Sequence, residues 1–228
     1  MAEEYVIIRV RRSPRRRRRG PVFGPADVQP DIESLDVNVV TSRQAVAEAH
    51  ADPDVRASAR SMPMQLIAPV AINAVALDEP TAAPTANVAW GVRAVGADTS
   101  PFDGTGVVVA VLDTGIDRTH PAFKGIELVE KDFTGDGDGD VKGHGTHCAG
   151  TIFGRDVDGM RIGIARGVTR ALIGKVIGRA GGSSAKIASA IHWAIENNAN
   201  VISMSLGIDF PGYQAELESG LFPATGNH

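Results

Sequence analysis

The residues best suited to chemistry fall in two short motifs. Asp113 ends the apolar run of "VVVAVLDTGID", which either delivers a carboxylate into an active site or closes in an ordinary polar turn. His144 and His147 lie in "GHGTHCAGT", where the flanking glycines let a substrate approach a histidine closely. Two histidines three residues apart also suggest zinc, but zinc sites take three or four protein ligands. No third His or Cys stands at ligand spacing, so we expect no metal site.

Three apolar segments are predicted to form the strands that position these motifs. Val107–Leu112 is a continuous, mostly β-branched run, as is typical of a parallel strand covered on both faces. Arg170–Ile177 and Asn200–Gly207 are the other two candidates. Between them lies a helix capped by Ser183 or Ser184. Its apolar face is predicted at Ile187, Ile191, Ala194 and Ile195. Strand, helix and strand at this spacing predict a right-handed βαβ unit, whose active groups gather at the carboxyl ends of the strands.

The first part of the chain has a different pattern. Residues 1–80 are predicted to form a small α/β module with strands at "YVIIRV" and "LDVNVV", followed by an alanine-rich helix. Thr41 and Gln44 have the spacing of a capping box at the start of that helix. Residues 81–89 contain small residues and proline and are assigned as a linker. Residues 90–228 are the remaining, strand-rich part.

Charge is distributed unevenly along the chain. The formal net charge is −4, yet eight arginines lie within the first 20 residues. We interpret the arginine-rich loop at residues 9–19 as solvated and mobile, and expect no nucleic acid as a partner despite that run. No apolar segment follows the arginines as in a secretory signal, and no run is long enough to span a membrane. The single cysteine, Cys148, excludes an internal disulfide. A cytoplasmic location is favoured, or secretion if the true start lies upstream.

The motifs together resemble those of the subtilisin-like serine proteases. "VAVLDTGID", "GHGTHCAGT" and "WAIENNANVISMSLG" occur in the family's order, and "HPAF" follows the first as expected. The resemblance covers residues 88–207. It implies a subtilisin-like α/β fold of three αβα layers around a parallel central sheet, incomplete in this chain. Residues 1–80 would then be a small α+β module similar to a propeptide, which assists folding and inhibits the cleft.

The resemblance also implies roles for individual residues. Peptide-bond hydrolysis would proceed through an Asp–His–Ser triad in which Asp113 orients His144 and His144 is the general base. Cys148 would lie beside that base as a small buried residue, and a thiol there would make the site sensitive to mercurials. His147 would pack within the helix that begins at His144. A polypeptide substrate would add as a strand between two cleft edges. These edges are formed by Ser205, Leu206 and Gly207 on one side and by Gly181 and Gly182 on the other.

The sequence departs from the family where the nucleophile should follow. The 228 residues contain no G-T-S-M-A-type segment and no A-A-G-N-type segment for the oxyanion hole. Ser183 and Ser184 are rejected as substitutes because they serve as helix caps. We therefore expect a truncated or fragmentary endopeptidase that is inactive alone and would need a complementing C-terminal segment. The alternative is a non-catalytic, peptide-binding pseudoprotease.

No cofactor is required by this chemistry, although calcium is common in the family. The segment "DFTGDGDGD" suggests calcium but fails the EF-hand pattern, since Val141 stands where glycine is needed. Calcium ligands therefore stay unassigned, and the segment is interpreted as a solvated turn. A nucleotide-binding α/β domain is excluded because Gly104–Gly106 precedes the strand and no G-x-G-x-x-G opens a helix.

Overall fold

The computed structural model describes residues 4–11, 34–67 and 87–218, which form two compact units divided between Ser61 and Met62. The boundary expected from the sequence lay at residue 80. Most of the expected linker and most of the arginine-rich segment lie outside the described residues. None of the helices in the described ranges is both long and apolar enough to cross a bilayer.

The first unit is an antiparallel sheet with one helix. Its central strand is β1 (Tyr5–Arg11), flanked by β2 (Ser34–Val40) and β3 (Val55–Arg60), and α1 (Arg43–His50) connects β2 to β3. Ile7 of β1 is almost fully buried. Arg9 lies within β1, where its Nε donates to Asp52 Oδ2 at 3.1 Å. The arginine run therefore begins inside a strand, and not in a loop from residue 9 as the sequence suggested.

The helix of this unit begins one residue later than the sequence pattern indicated. Ser42 is the N-cap, and its Oγ accepts a hydrogen bond from Ala45 N at 3.0 Å. Gln44 does not reach back to close a capping box. Its amide donates to Glu48 Oε1 at 2.9 Å, one helical turn onward. Thr41 as the cap was wrong, because two adjacent hydroxyl residues have the same capping chemistry and only the chain path selects between them.

The second unit contains a four-stranded parallel sheet. Its strand order is β6 (Glu127–Asp132), β7 (Arg170–Lys175), β5 (Val108–Asp113) and β9 (Val201–Ser203). β5 and β7 are the central pair, in register from Val108 opposite Arg170 to Asp113 opposite Lys175. The two strands therefore end at the same edge of the sheet. The mixed α/β class with a parallel central sheet is confirmed.

Helices cover both faces of the sheet, which explains why β5 is apolar at every position before Asp113. Ala110 and Leu112 pack with α4 (Ser184–Glu196) on one face, where Trp193 belongs to the same core. Val109 and Val111 belong to the core on the other face, which contains Phe153 of α3 (His144–Phe153). A strand enclosed in this way has no solvent face and so shows no alternation of polar residues. The sheet and its two helical layers form the expected αβα sandwich.

Three details of the second unit differ from the sequence-based expectation. β6 was not predicted, because an edge strand with four charged residues among six, "ELVEKD", lacks the signature of a buried strand. The segment Asn200–Gly207 is two strands and not one, since the chain leaves the parallel sheet after Ser203. On α4 the buried face is partly rotated: Ile187 and Ala194 are buried as predicted, with Ala190 and Trp193 beside them, whereas Ile195 is 53% exposed.

A second, three-stranded antiparallel sheet lies in the same unit. β4 (Pro63–Leu66) is its central strand, between β10 (Leu206–Ile208) and β8 (Gly182–Ser183). The unit is completed by α2 (Trp90–Ala94), a 3-10 turn at Pro121–Phe123 and α5 (Phe210–Glu218).

Phe153→Ala should lower the free energy of unfolding of the second unit by about 3–5 kcal/mol, because the ring is fully buried and its removal leaves a cavity under the sheet. Urea unfolding followed by tryptophan fluorescence measures this. Phe102→Ala is the matched control, since that ring is 84% exposed and its loss should change stability by less than about 0.5 kcal/mol. Equal effects of the two substitutions would contradict the proposed core.

Candidate active site

Asp113 is the last residue of β5, and both its backbone and its side chain are held in place. Its carbonyl oxygen accepts hydrogen bonds from Val176 N and Ile177 N, at 2.8 and 3.1 Å, where the chain leaves β7. Its carboxylate is 1% exposed, and Oδ1 accepts from Thr114 N at 2.7 Å. Oδ2 is buried and has no hydrogen-bond partner among the described residues. The strand thus ends in a fixed carboxylate with one acceptor still open.

His144 is the first residue of α3, and it faces Asp113. Its Nδ1 lies 2.8 Å from Asp113 Oδ1, while its side chain is 31% exposed. The preceding Gly143 adopts a left-handed conformation, with φ 76°, which turns the chain sharply into the helix. Glycine takes this conformation without the steric cost that a side chain would add. The chain thus presents a partly exposed imidazole at a helix start, with its Nδ1 edge bonded to Asp113.

The hydrogen bond to Asp113 determines which ring nitrogen of His144 is available. A carboxylate at Nδ1 favours the tautomer with its proton on Nδ1, since the carboxylate can only accept. Nε2 then carries a lone pair and can accept a proton from a neighbouring group. The Asp113–His144 pair is therefore arranged as an oriented base.

Cys148 lies beside the Asp113–His144 pair, and its thiol also contacts Ser205. The Cys148 thiol lies 3.9 Å from His144 Nε2, one helical turn along α3, and donates toward Ser205 Oγ at 3.7 Å. Burial raises the pKa of Cys148. The hydrogen bond to Ser205 partly opposes this increase, and the negative charge of Asp113 adds to it. A protonated thiol is a weak nucleophile. Cys148 is therefore a neutral, half-buried neighbour of the base.

One group of side chains in the described part of the chain could hold a metal ion. It consists of Asp113, His144 and Cys148, whose ligand atoms all lie within 4.8 Å of one another. The mutual hydrogen bond of the aspartate and the histidine occupies Nδ1, so a metal there would have to displace that proton. His147, which the sequence motif placed beside His144, is not part of the group.

The antiparallel sheet forms the two edges predicted for the cleft. β10 contains Leu206 and Gly207, and β8 begins at Gly182, with Gly181 directly before it. The gap between these edges is filled by β4, in which Met64 pairs with both Ile208 and Gly182. Ser205 lies just before β10, next to Cys148. The structure therefore places all five residues that the sequence predicted for the cleft in, or directly before, the two strands that pair with β4.

Ser183 and Ser184 both have structural partners. Ser183 is the N-cap of α4, and its Oγ accepts from Lys186 N at 3.3 Å. Ser184 is the first residue of α4 and not a second cap; its Oγ accepts from Met62 N at 2.9 Å, next to β4. His147 does not pack inside α3 as expected, because it lies on the exposed face of that helix.

Three polar residues near the site were not identified from the sequence. Thr114 is 1% exposed, and its Oγ1 accepts from Gly145 N at 2.9 Å, which connects the end of β5 to the start of α3. Asp140 caps the same helix start, and Lys175 is buried at the end of β7. The sequence does contain an indication for Lys175. A charged residue at the end of an apolar strand, like Asp113 in β5, needs a polar partner or a function. Partners such as these depend on chain segments that meet only in the folded state.

A partly exposed imidazole oriented by a buried carboxylate, at the carboxyl edge of a parallel sheet, is an arrangement with which serine hydrolases activate a hydroxyl group. Comparison with protein families makes the class specific. The model of the subtilase family matches residues 104–224, more than half of the chain. The chain belongs to the subtilase family of serine proteases, as its motifs predicted.

Individual relatives match the same region. The Major intracellular serine protease of Bacillus subtilis (strain 168) is 43% identical over 112 residues, which are 46% of this chain and 35% of the relative. The Intracellular serine protease of Paenibacillus polymyxa is 41% identical over 111 residues, 46% of this chain and 34% of the relative. Subtilisin Savinase of Lederbergia lenta is 39% identical over 147 residues, 61% of this chain and 52% of the relative. The matched part of this chain thus spans from about a third to about half the length of these relatives.

Alkylation of Cys148 by iodoacetamide should be slower at pH 8 than alkylation of glutathione, because a raised pKa leaves less thiolate at that pH. The midpoint of the pH–rate profile should lie above that of the peptide thiol. Mass spectrometry measures the rate without ambiguity, since the chain has one cysteine.

Asp113→Asn is the control for the charge contribution. It removes a negative charge that raises the pKa of Cys148, so the midpoint should fall while burial of the thiol is unchanged. If the midpoint of the wild-type pH–rate profile lies at or below that of glutathione, Cys148 is not in the buried environment that the structure shows.

Proposed function

We propose that this chain carries the base and substrate-binding half of a subtilisin-type serine endopeptidase. The observation that carries the proposal is the 2.8 Å hydrogen bond between Asp113 Oδ1 and His144 Nδ1, in an imidazole that is 31% exposed. His144 removes a proton from a serine hydroxyl through Nε2 and returns it to the leaving amine. Asp113 keeps the imidazole in the required tautomer and stabilises the imidazolium that forms.

The proposed substrate is an extended polypeptide. β8 and β10 present backbone groups on two sides of one groove, and β4 pairs with both as an added strand. A substrate segment that binds in the same manner gains main-chain hydrogen bonds on both edges, which suit many sequences, while the groove selects among side chains. Met64 supports an apolar preference in this groove, because it is buried in a core that also contains Ile187.

β4 occupies the position that we propose for substrate, so we assign it an inhibitory, propeptide-like role. Leu66 pairs with Leu206, and Ile67 follows beside Gly207, toward Ser205 and the catalytic pair. A segment of the same chain is always present at high effective concentration and therefore competes strongly with free peptides. Opening of the groove then requires β4 to leave.

We infer that residues 1–228 alone do not hydrolyse peptides. The Ser183 and Ser184 hydroxyls are engaged at the start of α4, and Ser205 contacts Cys148. Among the hydrogen bonds of the described residues there is none from a serine to His144. The nucleophile and the oxyanion-hole asparagine would come from a complementing C-terminal segment. A peptide-binding pseudoprotease is the second candidate, since the groove accepts a strand without needing a nucleophile.

A cytoplasmic location is proposed with this function. It is supported by the names of the two relatives described as intracellular serine proteases.

The purified 228-residue chain should show neither turnover of a chromogenic peptide nor labelling by a fluorophosphonate probe, because it lacks a serine activated by His144. The measurements are absorbance against a buffer blank and mass spectrometry of the probe-treated chain. Turnover that disappears in His144→Ala but survives in Ser183→Ala and Ser184→Ala would disprove the incompleteness.

A longer product of the same gene that contains a G-T-S-M-A-type segment should be labelled by the probe and should hydrolyse peptides. In that protein Asp113→Asn should reduce kcat by about 10⁴-fold with an unchanged circular dichroism spectrum, because the wrong imidazole tautomer is favoured. An unchanged rate would remove Asp113 from the mechanism. Labelling that fails although the segment is present would favour the pseudoprotease.

Met64→Asp should open the groove to a fluorescein-labelled peptide with the sequence of residues 62–67, because a carboxylate cannot stay in that apolar core. Fluorescence anisotropy should show binding to the variant and little to the wild-type chain. Gln65→Asp is the matched control, since that side chain is exposed and its replacement should leave β4 in place. Equal binding to all three proteins would contradict the inhibitory role of β4.

A further inference from the structure

The segment Asp132–Asp140, here called the acidic loop, is more than the solvated turn that its sequence "DFTGDGDGD" suggests. It begins at the end of β6 and finishes four residues before His144. Asp132 closes the loop on itself, with Oδ2 accepting from Gly135 N at 3.0 Å and Gly137 N at 2.8 Å. Asp136 and Asp140 also accept hydrogen bonds from backbone amides. These amides lie on different sides of the candidate site.

Asp140 holds the start of the helix that carries His144. Its Oδ1 accepts from Gly143 N at 2.9 Å, and its Oδ2 accepts from Thr146 N and Thr146 Oγ1 at 2.9 and 2.7 Å. Gly143 is the N-cap and has no side chain with which to cap the helix, so Asp140 supplies that function from three residues before. Burial by itself would raise the pKa of Asp140, but its hydrogen bonds outweigh burial and hold the pKa below the ordinary value. The carboxylate is therefore ionised when it caps the helix.

The same helix start is also bonded to the strand that carries Asp113. Thr146 Oγ1 accepts from Asp117 N at 2.9 Å, beyond the end of β5. A Cβ added at Gly115 would collide with the Gly139 carbonyl, so the acidic loop and the turn after Asp113 are in direct contact. Displacement of Asp140 would thus change the position of His144 relative to Asp113.

Asp136 binds the chain segment that leads into β8, on the other side of the candidate site. Its Oδ2 accepts from Arg179 N at 2.6 Å. A Cβ added at Gly178 would lie 2.5 Å from the same oxygen, so the chain before β8 lies tightly against the carboxylate. Only Ala180 and Gly181 separate Arg179 from Gly182, where β8 begins to pair with β4.

Lys175 holds the acidic loop between these two acids. The side chain is at the end of β7, 4% exposed, and Nζ donates to Gly137 O at 2.9 Å and Gly139 O at 3.1 Å. A buried amino group needs such acceptors, because an unpaired polar group in the interior is costly. The strand that neighbours β5 thus anchors the loop that supports both parts of the site.

We propose that Asp140 and Asp136 are positioning residues with separable tasks. Asp140 sets the orientation of His144 against Asp113, Asp136 sets the β8 edge of the substrate groove, and buried Lys175 fixes the loop that contains both. The proposal rests on the proposed function only in taking His144 as the base and the groove as the substrate site. The predicted positions of His144 and of the β8 edge can be tested without measuring catalytic activity.

The test uses two readouts on the full 228-residue chain. The first is the downfield proton NMR resonance of His144 Nδ1–H, assigned by its loss in His144→Gln. The second is amide hydrogen exchange of Arg179–Ser183 at the groove edge. Asp140→Asn places an amide donor against the N–H groups of the helix start, so the resonance should broaden or vanish while exchange at the edge stays unchanged.

Asp136→Asn should produce the opposite result. Exchange of the Arg179 amide should become about tenfold faster, as expected for loss of a charge-assisted hydrogen bond, with the His144 resonance retained. Lys175→Met has similar length and no donor, so it should change both readouts. Asp103→Asn is the matched control, since Asp103 also accepts from a nearby threonine, at Thr105 N and Oγ1, but in an exposed turn away from the site.

The outcomes separate the proposal from a general loss of stability. If Asp140→Asn and Asp136→Asn each change both readouts together, the residues stabilise the unit as a whole and the proposal is wrong. It is also wrong if neither variant differs from Asp103→Asn. If the two effects are separate while the longer product shows no peptidase activity, the positioning roles stand and the proposed function fails.

Discussion

The structure of the second unit depends on one hydrogen bond, between a carboxylate at the end of a fully enclosed strand and an imidazole at the start of a helix. A carboxylate as buried as that of Asp113 is unfavourable unless polar groups are bonded to it. His144 and the amide of Thr114 fulfil this need at Oδ1. The parallel sheet makes this arrangement rigid, because β5 is covered on both faces and cannot shift without opening both cores.

The substrate groove follows from the way the chain leaves the same sheet. β9 ends at Ser203, and the chain then turns to form β10 in a second, antiparallel sheet. Gly182 approaches from the start of α4, and β4 fills the space between the two edges. The edges of the groove are therefore backbone segments outside the parallel sheet, and their N–H and C=O groups still need hydrogen-bond partners. This need explains why a segment of the same chain is bound there, and it is the basis of the proposal that a foreign polypeptide replaces it.

Prediction from the sequence succeeded where a residue's local pattern determines its environment. The enclosed strand β5 was visible as a β-branched run, and the resemblance of the motifs implied the helix that begins at His144. It failed for β6, whose charges are those of an edge strand, and for the segment 200–207, where one apolar run serves two sheets. It also failed on the acidic loop, whose Asp136 and Asp140 were interpreted as solvated although both bind backbone amides of distant or following segments.

The sequence by itself determined the class of fold, the family and the two residues of the candidate pair, because these are encoded in short motifs and in the period of apolar residues. Only the tertiary structure decided that Asp113 and His144 meet at 2.8 Å, that β4 occupies the groove, and that Lys175 is buried beneath the acidic loop. The physical reason is that each of these contacts joins segments far apart in the chain. Their pairing is selected by the packing of the whole unit, and no local pattern of residues specifies it.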